Sequence, residues 1–337
     1  MKNINSFFLS LFLIIPILNF SSCKQTNQLK IGYMLPNLKS DRFEKEKQYF
    51  SEKVKELGGE VIAVSADYDD KLQIDQANEL MSQGVKILVI NPVNLTTAAA
   101  IVRNAHENHV EVIAYDRIIF SPELDYYLSF DNVKVGKLMA QYAMKLKPEG
   151  KYYIMGGDKA DQNAILVKTG QMDAIASQIS SGKIKIVYNS YVEDWSGENA
   201  KNEITRYLNL SQDTPDVILS SYDGMSTSVI EALQLFNLAG KVIVTGQDAE
   251  LAACRNIVKG NQAMTVYKPL KLLAYKAAEI AIKLARKEKI TDVNSKVQVD
   301  GKDIPAILLD PVAVDKDNLK TTLIADGHQK EADIYKE

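Results

Sequence analysis

VKILVINPVNLTTAAAIVRNAHENHVEVIAYD, residues 85–116, decides the fold. A short run rich in Val and Ile (VKILVI) leads into a longer stretch of helical period, Thr97 to Asn108, and then into a second apolar run, VEVIAYD. Apolar runs of this length carry strands buried on both faces, and a helix between two of them is the crossover of a parallel βαβ unit. The same rhythm precedes this stretch: LKIGYML then Asp41 to Leu57, and EVIAVSA then Leu72 to Gln83. It resumes at KYYIMGG, KIKIVYNS, DVILSSYD, KVIVTGQD and AMTVYK, while YYLSF and a helix from Val133 to Lys147 fill the less regular span between. Two half-chains of βα rhythm predict an α/β protein of two doubly wound parallel-sheet lobes. An eight-stranded barrel is the alternative, but residues 287–337 read as loop and extended segments rather than as further βα pairs.

The chain has 337 residues, 40 basic and 43 acidic side chains, and 46% hydrophobic content. It is too apolar for a disordered chain. A net charge of −3 gives no electrostatic footprint for nucleic acid. The three histidines leave little for a metal site, and His106 and His109 lack the H-E-x-x-H spacing of zinc helices. Asp67, Asp69 and Asp70 read as a loop and a helix cap rather than a calcium loop. No cofactor is expected, since no dinucleotide or phosphate-loop glycine pattern is present.

The amino-terminal apolar run FFLSLFLIIPILNF, residues 7–20, is shorter than the roughly 20 residues of a spanning helix and reads as a signal peptide, residues 1–22. Ser21-Ser22-Cys23 resembles a bacterial lipobox, which implies acylation of Cys23 and a polar tether over 23–28.

In open α/β sheets ligands sit at the carboxyl ends of strands. Those ends collect Asn37 and Arg42, Asp116-Arg117, Asp158 to Asn163, Tyr222-Asp223, Gln247-Asp248 and Lys268. Carboxylates accept hydroxyl protons, Arg and Lys donate, and Asn does both, so the set suits a ligand dense in hydroxyls. A single strand-end Asp is equally well a helix cap, but caps need neither Arg117 nor Lys268.

AYDR (114–117), SFDN (129–132), GQDA (246–249) and MTVYKP (264–269) resemble the periplasmic sugar-binding proteins of ABC importers, and xylose-binding members most of all. The resemblance extends through IGYML, SDRFEKE, MGGDKADQNA, SGKIKIV and DGHQKE, nearly all of residues 29–332. It implies two lobes that close on a monosaccharide about three crossovers, near 130–134, 264–269 and 297–304. Residues 29–130 with 269–297 would form one lobe, and 131–268 with 298–337 the other. It further implies sugar contacts from Arg42, Asp116, Arg117, Asp161, Asn163, Asp248 and Lys268, with Phe43 and Trp195 stacking on the ring, although Phe43 taken alone reads better as helix-core packing. Tyr222 stands where the family pattern has Asn; two outcomes are open, that it points into the cleft and narrows it, which is favoured, or that it turns aside and leaves a water in the amide's place. The implied partners are a monosaccharide (xylose or a related pentose), an importer permease, and the membrane through the lipid; the implied state is a monomer outside the cytoplasm. Three other readings compete. Asp116 and Asp248 as a glycosidase pair would need a cleft open to water; a sugar-responsive repressor would need a DNA-binding segment in place of the signal peptide; a receptor-presenting sensor uses the same closed lobes.

Overall fold

The computed structural model describes residues 28–38, 41–211 and 213–336, so the segment expected to be a signal peptide and Cys23 lie outside the described residues. The first half runs β1 (Leu29–Leu35), α1 (Asp41–Glu56), β2 (Gly59–Ser65), α2 (Asp70–Ser82), β3 (Ile87–Ile90), α3 (Ala99–Glu107), β4 (Glu111–Tyr115) and β5 (Tyr126–Phe130). The chain then passes through α4 (Asn132–Leu146), β6 (Gly150–Gly156), α5 (Gln162–Ser180), β7 (Ile184–Tyr191), α6 (Gly197–Leu210), β8 (Val217–Ser220), α7 (Asp223–Leu235), β9 (Ile243–Val244), α8 (Leu251–Lys259) and β10 (Thr265–Tyr267). Last come α9 (Leu270–Ala285), β11 (Ser295–Val299), β12 (Lys302–Leu309), β13 (Val312–Val314) and α10 (Glu331–Ile334).

Seven strands form one sheet in the order β11-β12-β5-β4-β3-β1-β2, parallel except for β11 against β12. Period two decides which face each side chain meets. Ile87 and Val89 of β3 join the cluster of Phe50, Val54, Leu273 and Ala277 under α1 and α9; Leu88 and Ile90 join Ala77, Leu80, Ile101 and Val102 under α2 and α3. A strand buried on both sides has no polar face, which is why the quoted stretch reads as a continuous apolar run. The second sheet, β7-β6-β8-β9, is parallel throughout and is sandwiched likewise, by α4 and α5 on one face and α6 and α7 on the other. The β10-β13 ribbon extends it through the bridge between Gln247 and Val266.

The chain passes between the sheets at Asp131, at Lys268-Pro269 and at Asp310-Pro311. The last of these corrects the crossover expected at 297–304 and the boundary at residue 297. β12 pairs in parallel with β5 from Ala306↔Tyr127 to Leu309↔Phe130, so residues 302–309 belong to the first sheet. Ile304, Ala306 and Ile307 enter its two cores. Pro305 hid this strand in the sequence, since proline cannot donate to a ladder; it lies just before the pairing with β5 begins. Asp69 caps α2, accepting from Lys71 N and Leu72 N.

Helices α4 and α5 approach through paired glycines. A Cβ on Gly136 would stand 1.8 Å from Val167 O, and one on Gly170 1.9 Å from Val133 O. Both neighbours are backbone and cannot rotate away. Gly136→Ala is therefore expected to lower stability by about 1–3 kcal/mol, as overpacking does, read as a lower urea midpoint. An unchanged midpoint would mean that the helices are free to separate.

Candidate functional site

Asp116 follows β4 in the left-handed region, with φ 64°. Its backbone is held hard: its carbonyl accepts from the Tyr127 hydroxyl (3.1 Å), the Ser129 hydroxyl (2.9 Å) and Asn163 Nδ2 (3.2 Å). Asn163 comes from α5, so this one carbonyl joins the two sheets. The Asp116 carboxylate meets Arg42 Nη2 at 2.7 Å. Burial opposes its charge, but Arg42, Lys268 and Arg117 outweigh burial and hold its carboxyl below the usual range. Arg42, in the first turn of α1, also donates Nε to Glu46 Oε1 at 3.2 Å.

The second sheet answers with its own strand ends. Asp161 caps α5 by accepting from Asn163 N at 2.9 Å and pairs with Arg117 Nη2 at 3.1 Å, so it is both a cap and an ion-pair partner across the junction. Asn163 Oδ1 accepts from Asn132 Nδ2 at 3.0 Å. Asp248, at φ 91°, meets Lys268 Nζ at 2.8 Å, and Lys268 is almost wholly buried. Arg42, Asp116, Arg117, Asp161, Asn163, Asp248 and Lys268 are thus linked by direct contacts or by the field each exerts on the next, Asp248 acting on Arg42 and Lys268 on Asp116.

The aromatic residues are placed differently. Phe43 joins the core cluster of Leu35, Phe50 and Tyr115, with the Arg42 guanidinium 5.5 Å from its ring centre. Trp195 ends a single 3₁₀ turn, Glu193–Trp195, in which Asp194 and Trp195 have φ of 57° and 53°. Its indole lies on Gly157, just beyond β6: a Cβ there would come within 2.2 Å of the ring. Tyr222 stands edge-on to the indole, ring centres 6.1 Å apart, and donates its hydroxyl to Glu250 Oε1 at 2.5 Å. Committed to Glu250, that hydroxyl does not substitute for an amide; the ring braces Trp195.

Left-handed conformations at Asp116, Asp194, Trp195, Asp248 and Ala249 gather at this junction. Each costs on the order of 1 kcal/mol and is kept where the surroundings over-determine it, as happens at ligand sites.

Three residues of the junction, Glu46, Glu250 and Asn132, were not expected as sugar contacts, and Asp223 was read only as one of the strand-end residues. Glu46 was legible as the i+4 partner of Arg42 on one helix face. Glu250 lies two residues beyond Asp248, and Asn132 ends SFDN. Asp223 looked like a cap, yet its carboxylate is fully buried, accepting from Gln262 Nε2 (2.8 Å), Thr265 Oγ1 (2.8 Å) and Glu250 N (3.1 Å). It fixes the turn that carries Asp248. Burial pushes its carboxyl well up despite Thr265 and Gln262.

Two parallel sheets with their carboxyl edges facing one another, joined by three passages and lined with paired cations and carboxylates, define a two-lobed solute-binding protein. The chain belongs to the periplasmic binding protein family, whose domain profile matches residues 31–289. It is 41% identical to the D-xylose-binding periplasmic protein of Haemophilus influenzae over 316 residues, covering 94% of this chain and 95% of that one. It is 38% identical to the D-xylose-binding periplasmic protein of Escherichia coli over 307 residues, 91% and 93% of the two chains. Among solved structures, a carbohydrate transporter solute-binding protein from Chloroflexus aurantiacus in complex with D-glucose matches with a TM-score of 0.81 at 27% identity, covering 91% of this chain and 98% of that one.

Trp195 is the single tryptophan of the chain, so its emission reports this corner of the site. Gly157→Ala is expected to displace the indole and shift that emission to longer wavelength, with the protein still folded by circular dichroism. An unchanged spectrum would separate the indole from Gly157 in solution.

Proposed function

We propose that the chain binds a free aldopentose outside the cytoplasm, D-xylose first, and delivers it to an ABC importer permease by closing its two units, without altering the sugar. The observation that carries this reading is the sustained identity with two D-xylose-binding periplasmic proteins across more than nine-tenths of the chain. In this reading Arg42, Arg117 and Lys268 donate to sugar oxygens, Asp116, Asp161 and Asp248 accept from hydroxyls, and Asn163 does both. Trp195 offers its open face to the C–H surface of the ring. Tyr222 and Phe43 act beside them, one bracing the indole and the other underlying Arg42.

Binding without turnover is favoured by the state of the carboxylates. A general acid needs a raised pKa, yet Asp116 is held low, and Asp116 and Asp248 are each paired with a cation at 2.7 and 2.8 Å. Anchoring through acylated Cys23 belongs to the same proposal, as does a monomeric state.

D-xylose is expected to raise the melting temperature of the protein as its concentration passes the dissociation constant, and NMR of the sugar after long incubation should show no product. Asp248→Asn leaves Lys268 buried without its counter-charge and should weaken xylose binding at least a hundredfold, about 2.7 kcal/mol. No melting shift with any pentose or hexose would overturn the proposal. A new sugar product would replace it with an enzyme. For the anchor, the wild type should partition into detergent and Cys23→Ser into the aqueous phase; equal partitioning would leave a cleaved signal peptide only.

A further inference from the structure

Beyond β13 the chain runs into a carboxyl-terminal segment that the binding role leaves unused, yet this segment returns to the neighbourhood of Asp248. Leu319, Leu323 and Ile334 share one core cluster with Ala249 and Tyr267. From that cluster Asp326-Gly327-His328-Gln329 reaches the turn that carries Asp248. The Ala249 carbonyl accepts from Gln329 Nε2 at 3.0 Å and from His328 Nε2 at 3.2 Å, and Cys254 Sγ stands 3.6 Å from it. A carbonyl only accepts, so the ring hydrogen of His328 sits on Nε2. The His328 ring also lies against the Tyr267 ring, centres 4.7 Å apart, and the Tyr267 hydroxyl donates to the Asp326 carboxylate. Gly327, at φ 71°, makes the turn that lets both of its neighbours reach their partners.

Asp248 and Ala249 are consecutive left-handed residues, at φ 91° and 54°, and neither is glycine. Such backbone is costly for a residue with a Cβ and holds only where the surroundings impose it. The three backbone donors of the turn are held from the second sheet and its loops: Asp248 N by Val266 O at 2.9 Å, Ala249 N by the Thr265 hydroxyl at 3.2 Å, and Glu250 N by Asp223 Oδ2 at 3.1 Å. The acceptor between them, the Ala249 carbonyl, is held by the tail. Without the tail that peptide is free to rotate, the two residues relax towards right-handed backbone, and the Asp248 carboxylate swings away from Lys268. The same segment also grips the other partner of the pair, since Tyr267 immediately precedes Lys268.

We propose that residues 326–329 are a positioning clamp for the sugar-binding pair Asp248 and Lys268: His328 and Gln329 fix the Ala249 carbonyl, and Asp326 fixes Tyr267. His328 is the positioning residue at the centre of the clamp, because it alone meets both the turn and the Tyr267 ring. Burial and the Lys45 charge on α1 hold its imidazole below the usual histidine range. It is therefore a neutral donor, and it leaves the Asp248 carboxylate to Lys268.

The inference rests on the sugar-binding reading, and amide hydrogen exchange in the sugar-free protein separates the two. His328→Phe keeps an aromatic ring against Tyr267 but has no donor, whereas His328→Gln puts an amide Nε2 in place of the ring nitrogen. In the Cys23→Ser protein, His328→Phe is expected to speed exchange at the amides of Asp248, Ala249 and Glu250 while those of β6 and β8 keep the parent's rates. By calorimetry it should weaken D-xylose binding about fivefold to twentyfold, the scale of one buried hydrogen bond. His328→Gln should recover most of both losses. Tyr267→Phe removes only the hydroxyl that holds Asp326; it should move both readouts in the same direction, and it decides the matter if His328→Phe does not fold. Affinity that stays unchanged, or that weakens with no change of exchange at the turn, overturns the proposal. A Gln variant as impaired as the Phe variant overturns it as well, since the donor would then not be what the turn needs. A parent that binds no sugar would overturn the underlying reading and this one with it.

Discussion

The backbone carbonyl of Asp116 is the point on which the junction depends. Three donors converge on it, two from β5 and one, Asn163, from α5, which packs on the second sheet. That carbonyl is available only because Asp116 turns into the left-handed region, which sends its carboxylate back to Arg42. A strained residue thereby ties the end of β4 to β5, α1 and α5. The second sheet repeats the device: Asp248 is also left-handed, and its turn is pinned from below by buried Asp223.

A buried array of charges is expensive unless each member is paired. Here pairing is nearly complete: Arg42 with Asp116 and Glu46, Arg117 with Asp161, Lys268 with Asp248. Arg117 with Asp161 spans the two sheets, so this contact both reduces the cost of burial and draws the halves together. A neutral ligand of alternating donors and acceptors enters such an array without disturbing its charge. An ionic ligand would leave one side of a pair uncompensated.

The sheets were legible because their strands are buried on both faces and therefore read as Val- and Ile-rich runs. β12 was not, since Pro305 and the charged start Lys302-Asp303 mimic a loop; only its pairing with β5 makes it a strand. Among site residues, those at strand ends could be read from their positions. The geometry that unites them could not, because it depends on contacts between residues far apart in sequence, such as Arg42 with Asp116 and Asn163 with Asp116. Tyr222 shows the limit most clearly. Register placed it at the strand end, but its direction is set by Glu250 and Trp195, neither of them a neighbour in sequence.

The claim at the centre of this account is that one neutral monosaccharide sits where the two sheets meet and is enclosed by both. A crystal structure of the protein grown with D-xylose tests that most directly. One pyranose is expected between Arg42 and Asp116 on one side and Asn163, Asp248 and Lys268 on the other, with the Trp195 indole against its face. Sugar density elsewhere, or a sugar touching residues of one sheet only, would contradict it.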